Sequence, residues 1–122
     1  MAKKILVIDD SAVIRQVEDT VLRKAGYEVV CANDGKEALT KLDAATFNLI
    51  LTDLNMPGVD GISLIKQVRN DTKHRLTPIV MVTTESKDSK KQEGKSAGAT
   101  AWIVKPFTPD QLLMVVRRVI GA

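Results

Sequence analysis

Aromatic residues are scarce in this chain of 122 residues: Tyr27, Phe47, Trp102 and Phe107 are all of them. Its core must therefore be mostly aliphatic. There is one cysteine, Cys31, so no internal disulfide can form. It lies in the apolar run Val29-Val30-Cys31-Ala32, where a small buried hydrophobe is expected. The one histidine, His74, stands between Lys73 and Arg75 and is expected at the surface. No apolar stretch approaches the ~20 residues of a membrane span. The start, Met-Ala-Lys-Lys, leads straight into an apolar-rich run without the hydrophobic region or cleavage pattern of a signal peptide. A cytoplasmic protein is expected. The net charge of +3 is small, and no dense basic stripe with interleaved aromatics stands out, so nucleic-acid binding is not expected.

What is present is ordinary for one folded domain: 44% hydrophobic and 27% charged residues. Short apolar runs alternate with helix-period segments. Lys4 to Ile8 reads as a strand, ending at Asp9-Asp10-Ser11, where Ser11 or Asp10 can cap a helix. That helix is predicted to turn Val13, Ile14, Val17, Val21 and Leu22 inward, with Arg15, Glu18 and Asp19 elsewhere, and to stop at Gly26. Tyr27 to Ala32 is the second strand, Lys36 to Ala44 a helix, and Phe47 to Thr52 the third strand. A helix carrying Ile62, Leu64, Ile65 and Val68 follows the Pro57-Gly58 loop. Ile79 to Val82 is the fourth strand, Ser86 to about Ala97 a polar helix, Ala101 to Val104 the fifth strand, and Thr108 to Ile120 the last helix.

The strands are continuous apolar runs, which marks a parallel sheet buried on both faces. Alternation with helices gives a doubly wound α/β fold, five strands and five helices, with flavodoxin-like strand order 2-1-3-4-5. The whole chain, residues 1–122, is read as a single domain.

In such a sheet, ligands bind beyond the carboxyl ends of the strands, at the switch in strand order. Strand one delivers Asp9 and Asp10 there, strand three Asp53 with Asn55 beyond, strand four Thr83 and Thr84, and strand five Lys105. Two carboxylates ~5 Å apart repel by roughly 3 kcal/mol at an effective dielectric near 20. A hard divalent cation offsets that cost, and Mg²⁺ suits two or three protein oxygens with positions left for water and a phosphoryl oxygen. No histidine or cysteine joins the cluster, which argues against zinc. Lys105 adds a fixed positive charge. Any one of these residues alone could be a cap, a turn former or a solvated side chain; their coincidence at one end of one sheet is the signal.

These residues carry a family resemblance over the whole chain. Asp9-Asp10-Ser, Asp53-Leu-Asn-Met-Pro-Gly, Thr83-Thr84 and Lys105-Pro106-Phe107, in this order and spacing, resemble the receiver domains of bacterial response regulators, and among them the stand-alone chemotaxis regulators. The resemblance implies that Asp53 accepts phosphate from a histidine kinase as an acyl phosphate. It implies that Asp10 and Asp53 bind Mg²⁺ through side chains, Asn55 through its backbone carbonyl and Asp9 through water. Lys105 would pair with a phosphoryl oxygen and Thr83 would turn its hydroxyl toward the phosphoryl group. Asn55 and Glu85 would influence the phosphoryl lifetime, and the Lys105-Pro106 peptide would be cis. The family's switch aromatic, usually Tyr or Phe, is replaced by Trp102. Lys87 and Lys91, with Lys90 and Lys95, would belong to an output face completed by the last helix with Arg117 and Arg118. The implied partners are a histidine kinase of the chemotaxis type, an output protein such as a flagellar motor switch protein, and a phosphatase; a monomer is expected.

Chemistry bears on three alternatives. A phosphorelay or phosphate-sink receiver outside chemotaxis would share every motif. A haloacid-dehalogenase-type phosphatase needs Asp-x-Asp after strand one, whereas Asp9 and Asp10 are adjacent and the acceptor would lie on strand three. A flavin carrier needs hydroxyls and amides in its first phosphate loop, and two aspartates there repel phosphate.

Overall fold

A computed structural model of the chain describes residues 2–121. The elements are β1 (Lys4–Ile8), α1 (Ala12–Lys24), β2 (Glu28–Ala32), α2 (Gly35–Ala44), β3 (Leu49–Thr52), α3 (Gly61–Asn70), β4 (Ile79–Thr83), α4 (Asp88–Ala97), β5 (Ala101–Val104) and α5 (Pro109–Ile120). All strand pairs are parallel, in the order β2-β1-β3-β4-β5. This is the predicted architecture, with boundaries moved by one or two residues. Tyr27 and Phe47, predicted as strand starts, precede the ladders but are buried all the same.

Successive side chains on a strand point to opposite faces, so each strand feeds two cores. Leu6, Ile8, Ile50 and Met81 pack with Leu42, Ile65 and Val68 on the α2 and α3 side. Ile5, Val7, Leu49, Leu51, Val80 and Val82 pack with Leu22, Leu112 and Val116 on the α1 and α5 side. Continuing this alternation from Val7 and Leu51 puts Asp9 and Asp53 on the α1 and α5 side.

Helix starts follow local chemistry. Ser11 Oγ accepts the Ile14 amide at 3.3 Å, Asp34 the Glu37 amide at 2.8 Å and Asp60 the Ser63 amide at 2.8 Å. Thr108 and Gln111 form a reciprocal capping box under Pro109. By contrast, α4 starts at Lys87 without a side-chain cap and buries only Gly94. Gly26 (φ +98°) and Gly98 (φ +120°) end α1 and α4 in the left-handed region, where a side chain is costly.

Three expectations are corrected. On α1, Val13 and Val17 are 72% and 41% exposed, while Glu18 is buried. The helix is turned so that Ile14, Glu18 and Leu22, spaced four apart, face the sheet. His74 is buried, not at the surface: its Nε2 donates to the Leu42 carbonyl at 2.7 Å. The chain after α3 folds against the end of α2, where a terminal carbonyl lacks an intrahelical partner. Lys73 joins it there, reaching the Leu42 and Asp43 carbonyls. Cys31 is half-buried because β2 is an edge strand.

At the pole opposite the strands' carboxyl ends, α5 returns beside the start of β1. The Lys3 ammonium donates to the Ile120 carbonyl, and the Tyr27 hydroxyl to the Gly121 carbonyl at 3.2 Å. Among the described residues no helix is long and apolar enough to cross a membrane.

Candidate functional site

The ladder continues one residue past several strands, and this fixes the residues of the site. The Asp9 amide donates to Ala32, the Asp53 amide to Ile8 and the Lys105 amide to Thr83. Asp9, Asp53 and Lys105 are thereby held at the carboxyl ends of β1, β3 and β5, on one edge of the sheet. The Lys105-Pro106 peptide is cis.

Lys105 is the centre of the arrangement. Its Nζ lies 2.6 Å from Asp9 Oδ2 and 3.3 Å from Asp53 Oδ2. The other oxygens of these carboxylates take backbone amides: Asp9 Oδ1 that of Ser11 at 2.9 Å, and Asp53 Oδ1 that of Leu54 at 2.7 Å. Arg15 Nη1 donates to the Asp9 carbonyl at 2.6 Å, and the Thr52 hydroxyl to the Asp53 carbonyl. The start of α3 presses against the loop after Asp53. A Cβ on Gly61 would stand 2.4 Å from the Asp53 carbonyl, so glycine alone permits this approach.

Burial pushes the Asp9 carboxyl above its ordinary range, although Lys105 and the Ser11 amide pull it back. Burial also draws Lys105 down, but its contacts with Asp9 and Asp53 outweigh this and hold the ammonium above its ordinary value. The lysine faces two carboxylates, whereas they share one cation. The site thus carries a fixed ammonium and a surplus of negative charge.

Asp10 is exposed. Asp9, Asp10 and Asp53 can each present an oxygen within 4.8 Å of the others. The donors are all oxygen, and Asp10 keeps one side open to solvent. This set fits a hard, partly hydrated cation such as Mg²⁺.

Thr83 is fully buried at the end of β4, and its hydroxyl accepts the Glu85 amide at 3.3 Å. The Glu85 carbonyl in turn accepts Nε1 of Trp102 at 2.9 Å. A backbone loop therefore connects Thr83 to the half-buried indole on β5. Trp102 packs on Gly94 of α4 so closely that a Cβ there would lie 2.7 Å from the ring. Lys91, Lys95 and Trp102 line a cleft between α4 and β5, while Lys87 stands exposed at the head of α4. Asn55 is exposed two residues beyond Asp53. Glu18, expected elsewhere on α1, is buried, in line with Ile14 and Leu22 on that helix.

Residues 5–117 match the model of the response regulator receiver domain. The chain is 42% identical over 120 residues to chemotaxis protein CheY1 of Helicobacter pylori, covering 97% of both. Chemotaxis protein CheY4 of Vibrio cholerae superposes with a TM-score of 0.94 at 49% identity, over 98% of this chain and 99% of that one. The receiver domain of the Pseudomonas aeruginosa sensor histidine kinase PA1611, solved with magnesium coordinated in its active-site cleft, gives 0.91 at 28% identity over the full length of both. Motif order, strand order and these likenesses lead to one conclusion: the chain belongs to the response regulator receiver domain family.

Proposed function

We propose that this chain is the phosphorylation-activated response regulator of a two-component system and that Asp53 is its phosphate acceptor. The observation that carries the reading is Lys105 Nζ bridging Asp9 and Asp53 inside the acidic cluster. An ammonium so placed can leave the carboxylates for an incoming phosphoryl oxygen without leaving the site.

In the proposed reaction, a carboxylate oxygen of Asp53 attacks the phosphorus of a phosphohistidine on the kinase. The new O–P bond forms as the P–N bond breaks, and the electron pair returns to the imidazole. The Asp10 and Asp53 side chains and the Asn55 backbone carbonyl would hold Mg²⁺, with Asp9 acting through water. When bound, Mg²⁺ neutralises phosphoryl charge and orients the group for in-line transfer. Lys105 pairs with one phosphoryl oxygen, and the Thr83 hydroxyl turns to another. Phosphorylation replaces the single negative charge of the Asp53 carboxylate with a phosphoryl group of roughly 1.5 to 2 negative charges, set on oxygens that reach toward Thr83 and Lys105. As Thr83 turns, it lets go of the Glu85 amide, and the loop that holds the Trp102 indole is free to shift. Trp102, Lys87 and Lys91 then present the altered output face. Asn55 and Glu85 flank the acyl phosphate and set its lifetime. The chain acts as a switch, not a turnover enzyme; its only chemistry is its own phosphorylation and dephosphorylation.

The likeness to CheY1 and CheY4 over nearly the whole chain favours chemotaxis. The partners are then a histidine kinase of that pathway, a flagellar motor switch protein and a phosphatase, met by a cytoplasmic, monomeric, single-domain receiver. A phosphorelay or phosphate-sink receiver is the second reading, since the same site serves it equally.

The test uses a small phosphodonor with Mg²⁺ and intact-mass measurement. The wild type gains one phosphoryl group and Asp53→Asn gains none; stoichiometric labelling of the variant sinks the assignment. Capture from cell extract with the beryllofluoride-activated form separates the two readings: a motor switch protein supports the first, a phosphotransfer protein the second.

A further inference from the structure

Asp10 is the exposed member of the acidic cluster and makes no ion pair among the described residues. Even so, its carboxylate comes within 4.8 Å of those of Asp9 and Asp53. Its place must come from the chain on either side. After it, the Ser11 amide donates to Asp9 Oδ1 at 2.9 Å, and the Ser11 hydroxyl caps α1 through the Ile14 amide. Before it stands the Asp9 carbonyl. There β2 has already given way to α2, and no backbone amide donates to that carbonyl among the described residues. Arg15 does so instead: its Nη1 lies 2.6 Å from the carbonyl oxygen. The Arg15 amide in turn donates to the Ser11 carbonyl at 3.0 Å. Asp9, Ser11 and Arg15 thus close a ring of hydrogen bonds around Asp10 without touching its carboxylate.

The acceptor that Arg15 takes is informative. The half-buried Arg15 stands one helical turn beyond two aspartates, yet no carboxylate lies within salt-bridge distance of it among the described residues. A guanidinium paired with a carboxylate would occupy oxygens that a cation needs. Bonded to a carbonyl, it stiffens the turn and leaves those oxygens free. A carbonyl and the amide that follows it form one rigid plane. Holding the Asp9 carbonyl therefore sets the direction in which the chain enters Asp10.

We propose that Arg15 is a positioning residue of the cation site: by holding the Asp9 carbonyl it fixes the Asp9-Asp10 peptide and aims the Asp10 carboxylate toward Asp9 and Asp53. This rests on the reading of that cluster as a metal site. Arg15 brings charge and position together, and the two act in opposite directions. A guanidinium beside the cluster repels an incoming cation, whereas a guanidinium that aims Asp10 favours it. Removing Arg15 tightens cation binding if charge prevails and weakens it if position prevails.

Mg²⁺ binding to the full chain is measured by calorimetry in the wild type, Arg15→Met and Arg15→Lys. Methionine keeps a long side chain and a good helix propensity but has neither charge nor donor. Its Kd should rise roughly tenfold, the low end of what losing a partner behind a metal ligand costs. Lysine keeps one flexible donor and should bind Mg²⁺ more tightly than methionine does. A loss of fold stability by itself leaves the affinity of the folded protein as it was. Backbone NMR relaxation of the metal-free wild type keeps the proposal testable if the methionine variant does not fold. In it, the Asp10 amide should show the order parameter of rigid backbone, about 0.85. Unchanged or tighter binding in Arg15→Met, binding in Arg15→Lys no tighter than in Arg15→Met, or an Asp10 amide more mobile than rigid backbone overturns the role of Arg15 alone. Failure of the wild type to bind Mg²⁺ overturns the metal reading, and this proposal with it.

Discussion

Replacing Asp10 with asparagine is expected to stabilise the metal-free protein and to weaken its response to metal. Asp10 is exposed and makes no ion pair among the described residues, so the substitution breaks no contact of the carboxylate. Its oxygens come within 4.8 Å of those of Asp9 and Asp53, and repulsion at that separation is about 3.5 kcal/mol per pair at a dielectric of 20 and about 0.9 kcal/mol in water. Exposure of Asp10 puts the real figure toward the lower end. Lys105 is already engaged by the other two carboxylates and relieves little of it. Asp10→Asn should therefore gain about 1 kcal/mol in EDTA, a rise of roughly 3–5 °C in Tm at this chain length. With Mg²⁺ at a hundred times its Kd, the wild type gains about 2.7 kcal/mol. The variant, having lost a ligand, gains much less, and the order of stability reverses. Paired thermal melts in EDTA and in Mg²⁺ measure both. A variant less stable than wild type in EDTA, or one that gains equally from Mg²⁺, refutes the view of this cluster as a strained cation site.

Two further substitutions test the frame around the site. Gly94→Ala gains about 1 kcal/mol of helix propensity but sets a methyl 2.7 Å from the Trp102 ring. Overpacking costs typically 1–3 kcal/mol and the endangered indole hydrogen bond about 1, so a net loss of about 1–3 kcal/mol with altered Trp102 emission is expected. A more stable variant with unchanged emission contradicts the packing. His74→Ala opens a cavity and strips a hydrogen bond from the Leu42 carbonyl, costing about 2 kcal/mol by urea denaturation. Its Mg²⁺ affinity should match wild type, because His74 belongs to the distant pole; a changed affinity contradicts that separation.

The alternation of apolar runs and helical periods makes the fold readable from the residues alone. Asp9, Asp53, Thr83 and Lys105 are legible as a group because parallel topology brings strand ends together whatever the side chains do. Burial on α1 is harder to read. Hydrophobicity points to Val13 and Val17, yet docking against the sheet selects the stripe through Ile14, Glu18 and Leu22. The four-residue spacing is visible, but a carboxylate in it reads as solvent-facing unless something keeps it neutral. His74 is illegible for another reason. Its neighbours Lys73 and Arg75 are polar and exposed, and the carbonyl that holds its ring is 32 residues away.

The fastening of Lys3 to Ile120 and of Tyr27 to Gly121 has a practical consequence for anyone building with this fold. Both ends of the described chain emerge together, at the pole farthest from Asp53. A fluorescent or enzymatic cargo fused at either end hangs beneath the sheet and leaves the carboxylates uncovered. A short linker across the same gap closes the backbone into a ring, and the exposed turn at Leu76 offers a place to reopen it.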